Sequence, residues 1–197
     1  MKTYTKDNIN LTIEQDVHPE NPRELDNLSI MLCMHNSYNL GDKVDLDLST
    51  CSSWVDVETA IHNTFKDILF CTPLYLYDHS GLSISSTPFS CPWDSGQIGF
   101  AFLRKSRIKD RLGIKKITEK EINQARIILA HEIEIYDQYL KGDVYGFTVT
   151  NASLCPHCSQ PITELIDSCW GFYGDDPKVN GILDHVDQDN IKNLDDL

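Results

Sequence analysis

Long apolar runs are missing from this sequence. No stretch approaches the roughly 20 residues a membrane-spanning helix needs. Met1 to Asp7 carries no apolar run behind its charges, so no signal peptide is expected. Basic residues are scarce, 17 Lys and Arg against 30 Asp and Glu, and the net charge of −13 disfavours direct binding to nucleic acid or an anionic membrane. No glycine-rich phosphate loop occurs, since Asn39-Leu40-Gly41-Asp42 offers one glycine. Ser80 and Ser95 are followed by glycine but lie outside any Gly-x-Ser-x-Gly elbow, so each marks a turn. The seven cysteines are odd in number and mostly scattered, which reads as reduced thiols in the cytoplasm. These absences exclude familiar nucleotide-binding and esterase signatures and leave no reaction named.

What is present begins with a charge reversal. Between Arg104 and Lys120 lie eight bases against Asp110 and Glu119, a local charge of +6 that leaves −19 elsewhere. That run lacks interleaved aromatics and reads as a solvated helix surface, packing against the acidic tail. The length suits one domain with its own core. Residues 1–27 are polar and read as an arm or short strand, 28–174 as one α+β domain, and 175–197 as an acidic C-terminal segment with a short helix. Leu28–Met34 is apolar on both faces, which predicts a central strand. Ser53 with Asp56 predicts a helix start, with Val57, Ile61, Phe65 and Ile68 at helical spacing and Pro73 ending it. Asp78-His79-Ser80-Gly81 reads as a hairpin turn between Leu74–Tyr77 and Leu82–Ser86. Gln97–Leu103, Asp143–Thr150 and Ile162–Trp170 read as further strands. The clearest element is a helix over Glu119–Lys141, opened by the Thr118/Glu121 capping box and stopped by Gly142. The expected architecture is a largely antiparallel sheet of five to six strands, with two long helices on one face.

Three groups of residues could carry chemistry. Cys155-Pro156-His157-Cys158 is half of a tetrahedral zinc motif; Cys169, with His157 or His185, is the candidate completion. A turn with two reduced thiols outweighs zinc, and zinc outweighs a redox pair, because Asn151, Ser153 and Pro161 place the motif between strands. The second group gathers at strand ends: His35, Asp78, His79 and Asp94, candidate acids, bases or metal ligands on loops. Turn chemistry alone accounts for many such residues. The third is acidic and aromatic: Asp175, Asp176, Asp184, Asp187, Asp189, Asp195 and Asp196, with Trp170 and Tyr173 as anchors for a partner. Bulk weighs Trp93, Trp170, Phe172 and Tyr173 toward core lids rather than contact residues. Cys33 reads as a core residue and Cys91 as a loop thiol.

Four strings together resemble a family of small proteins from bacteriophages and integrative elements: Tyr75–Ser85, Pro88–Phe100, Tyr136–Gly146 and Asp167–Gly174. The likeness covers residues 28 to 174 and carries no catalytic residue over. It implies a mobile-element origin and a bacterial host cytoplasm. Accessory proteins of such elements often counter restriction or CRISPR defence. The leading expectation is a non-enzymatic inhibitor whose carboxylates occupy the basic groove of a nucleic-acid-handling host protein. The alternative is an enzyme or sponge for a nucleotide or small signalling molecule, working through the strand-end loops.

Overall fold

The computed structural model describes every residue except Asp7 and 187–197. Two strands open the chain, β1 (Lys2–Lys6) and β2 (Ile9–Gln15). They pair antiparallel, Tyr4 opposite Leu11. Of the two readings of residues 1–27, an arm or a short strand, the structure has the strand, built into a sheet. The reason is remote in sequence: β2 pairs along its whole length with the late strand β7 (Val144–Leu154), Leu11 facing Val149 and Ile13 facing Phe147.

Residues 21–141 form a compact unit inserted between these two strands. In order it contains β3 (Ile30–Cys33), α1 (Trp54–Thr64), β4 (Ile68–Asp78), β5 (Leu82–Ser85), β6 (Ser95–Arg104), α2 (Lys105–Leu112) and α3 (Glu119–Lys141). The antiparallel sheet runs β3-β6-β4-β5. β6 sits between β3 and β4 and is apolar on both faces. Phe100 and Phe102 pack with Val57 and Ile61 of α1, while Ala101 and Leu103 pack with Leu129, Ile133 and Tyr136 of α3. The two longest helices therefore cover opposite faces of this sheet, not one face. β3 is buried on both sides, as its composition requires, yet lies at the sheet edge; beyond it Leu32 bridges to Gly41. Gly99 lets β3 come this close, since a Cβ there would lie 1.8 Å from the Leu32 carbonyl oxygen.

Local chemistry sets the boundaries. Ser53 and Asp56 form the reciprocal capping box at the start of α1. That helix stops at Thr64, and Ile68 belongs to β4. Pro73 lies inside β4 and does not end a helix. It is tolerated because β5 pairs only from Tyr75 to Asp78, so β4 has no outer partner at Pro73. Asp137 of α3 accepts from the Ser83 hydroxyl and the Ile84 amide, tying β5 to the helix. A buried ionic clamp secures the entry loop. Arg23 meets Asp42 through Nε and Nη2 at 3.0 and 2.6 Å and donates to the Ser29 carbonyl, while its Nη1 has only Glu132 Oε2, 3.7 Å away. Glu132 also accepts from the Leu28 and Ser29 amides.

The second unit comprises residues 1–20 and the chain from Gly142 onward. Its sheet runs β1-β2-β7-β8, with β7 at Val144–Leu154 and β8 at Pro161–Tyr173. Its core joins Leu11, Ile13, Phe147, Val149 and Phe172 with Ile182 and Val186 around the one-turn helix α4 (Ile182–His185). The architecture is α+β and antiparallel, as expected. It holds eight strands in two sheets among the described residues, in place of one sheet of five or six.

Candidate functional site at the strand ends

The C-terminal ends of β3 and β4 and the start of β6 meet at one end of the inserted sheet. The β4–β5 turn places His79 and Ser80 at its tip, Ser80 taking a left-handed φ of 58°. Asp78 donates its amide to the Asp94 carbonyl, which brings the loop before β6 alongside the turn. Asp94 Oδ2 then lies 3.2 Å from His79 Nδ1 and accepts from the Cys91 thiol at 3.5 Å. The Ser95 hydroxyl donates to the Cys91 carbonyl and fixes the same loop. Tyr77 stacks on His79 and meets Phe89 at a tilt, with centroids 6.0 and 5.6 Å away.

His35, Asp78 and Asp94 line one cavity of about 390 Å³ together with Trp93. The His35 ring stacks on Tyr38 at 4.9 Å, and its Nδ1 accepts from the Ser37 and Tyr38 amides. Hydrogen bonding toward the Asp78 carboxylate, and then its charge, raise the Tyr38 phenol above its ordinary range. The four strand-end candidates, His35, Asp78, His79 and Asp94, are therefore brought together. Trp93 is the residue that bulk alone misjudges. It is 91% exposed and covers no core. Among the described residues, no lysine or arginine lines the cavity. The Cys91 thiol faces a carboxylate, so no Cys–His nucleophile pair is assembled here.

The other candidates are dispersed. Cys155 and Cys158 share the β7–β8 hairpin tip, where the His157 and Cys158 amides and the Cys158 side chain hold the Cys155 thiol below its usual range. Cys169 cannot join them. It pairs with Phe147, eight residues beyond Pro161 along β8, about 25 Å at strand rise. His185 packs edge-on against Phe172 near the same far end. The zinc group Cys155, Cys158 and Cys169 is thus not assembled, because an extended strand separates its members.

Asp175, Asp176 and Asp184 are exposed; Asp176 accepts from the Lys178 amide, a turn contact. Asp187, Asp189, Asp195 and Asp196 lie outside the described residues. Trp170 is 44% exposed and lies over Gly146, where a Cβ would fall 2.2 Å from the indole. The Tyr173 hydroxyl donates to the Glu20 carbonyl. Phe172 is the buried lid that its bulk predicts. In the basic run, Arg104 pairs with Asp67 and Arg111 with Asp26, both within the inserted unit.

No helix among the described residues is long and apolar enough to cross a membrane. Comparison with family models, curated proteins and solved structures returns no match.

Proposed function

We propose that this chain is a binding protein of mobile-element origin that inhibits a host defence enzyme by occupying its basic, nucleic-acid-handling groove. The observation that carries the reading is the exposed Trp93 indole, in the loop entering β6, beside Asp78 and Asp94. Carboxylates accept bidentate bonds from guanidinium, and an indole face attracts a cation. An exposed tryptophan between acceptors is the composition of an interface hot spot. The −13 charge steers such a chain toward a cationic surface and away from nucleic acid itself. Asp175, Asp176 and Asp184 are exposed acceptors on the other unit and add to the acidic surface of that unit by itself.

The test is affinity capture from a defence-competent bacterial lysate at moderate salt, followed by mass spectrometry and nucleic-acid competition. A nuclease or CRISPR effector should be retained by the parent chain and released by added nucleic acid. Trp93→Ala or Asp94→Asn should weaken retention by about 30-fold, the loss of one hot-spot residue, without changing the melting temperature. Retention indifferent to both substitutions refutes this placement of the contact surface.

One observation favours a second reading, an enzyme acting on a small molecule. The His79–Asp94 pair has the spacing of an oriented general base. The cation-free lining counts against an anionic nucleotide as its ligand. Turnover lost in His79→Ala with binding intact would support this reading over the first.

A further inference from the structure

Three donors of different chemistry meet between α1 and β4. Glu58 and His62 stand at i and i+4, so both project from one side of the helix. Cys71 comes from the neighbouring strand. A carboxylate oxygen, an imidazole nitrogen and the Sγ atom lie within 4.8 Å of one another. The frame around them is rigid. Val57 and Ile61 are buried in the core beneath α1 and set the rotation of the helix, and the Ser53/Asp56 box fixes its start. Cys71 sits opposite the buried Phe102 of β6.

We propose that Glu58, His62 and Cys71 form a zinc site. Sulfur and imidazole nitrogen are ligands of zinc, whereas calcium and magnesium take oxygen. Charge also matches: thiolate and carboxylate together balance one divalent ion, with histidine neutral. Zinc bonds of about 2.0–2.3 Å give tetrahedral edges of about 3.3–3.8 Å. The three donors therefore need to draw together by at most about 1.5 Å, which side-chain rotation of Glu58 and His62 on α1 supplies. Cys71 and Glu58 are half-buried and His62 is exposed. The sulfur thus lies on the protein side, and the fourth position faces solvent and takes water. Bound zinc would tie α1 to β4.

Cobalt(II) titration of the metal-free full chain tests this, because thiolate-to-cobalt charge transfer reports sulfur in the coordination shell. The parent should bind stoichiometrically, show that band, lose it to added zinc and melt at higher temperature with zinc present. Cys71→Ala should abolish the band. His62→Ala removes an exposed side chain and leaves the fold intact; it should weaken metal binding at least tenfold and remove the zinc-dependent rise in melting temperature. Cys155→Ser and Cys158→Ser should change neither readout. A parent chain that binds no cobalt overturns the proposal. So does a band lost in Cys155→Ser and kept in Cys71→Ala, or a folded His62→Ala protein with parental affinity.

Discussion

Asp67 illustrates how one side chain contributes to the acid sensitivity of the inserted unit. Burial alone would raise its pKa, but the Ser106 hydroxyl and amide and the Arg104 guanidinium outweigh that and hold it at about 2. A depressed carboxyl stabilises the fold above its unfolded pKa, and that contribution vanishes as pH falls from about 4 through 2. Asp67→Asn should therefore cost about 1 kcal/mol at pH 7, allowing for partial exposure of the pair. Urea midpoints should show the gap to the parent closing below pH 4; a constant gap would contradict the assignment. At this scale the sequence was informative wherever chemistry and turn propensity coincided. His35, Asp78, His79 and Asp94 are turn residues at strand ends, and the sheet brings those ends together. Trp93 was not legible, because bulk gives average burial and says nothing of a particular loop. Glu58, His62 and Cys71 were not legible either. The i, i+4 pair is ordinary on a helix surface, and the third donor depends on which strand lies beside it.

Among elements, the entry loop, β3 and α3 are joined by Arg23, Asp42 and Glu132 rather than by apolar contact alone. Removing one member of a buried ionic group strands the others without compensation. Arg23→Ala should cost about 3 kcal/mol, measured by denaturant unfolding, and should raise amide exchange at Ser29 and Met31. A loss under about 1 kcal/mol would show the carboxylates find water instead. The capped helices α1 and α3 could be read from local sequence because caps and stripes are local devices. Strand content was also local, and the β4–β5 hairpin appears as its turn residues predict. The division into two sheets was not legible. It is set by β2 pairing with β7 across more than a hundred residues, and no periodicity encodes a partner. Assignment of helices to faces failed for the same reason. The unbroken apolar run of β6 predicts two apolar faces but does not say which helix covers each.

For the whole chain, the decisive fact is that each unit has its own core. The clusters around Phe102 and Leu129 draw only on residues 28–140, and the cluster around Phe147 only on the two flanking segments. A fragment spanning residues 21–141 should fold alone, with a cooperative melt and a dispersed near-ultraviolet spectrum. A molten fragment would show that the flanking sheet is required. The split has a consequence for biosynthesis. The first hairpin leaves the ribosome long before the strand it needs, so Leu11 and Ile13 stay wet until translation reaches residue 149. Closing that interval by diffusion is slow for a disordered chain. The insert would therefore fold first, and the order of synthesis would make the outer sheet the last part of this protein to become native.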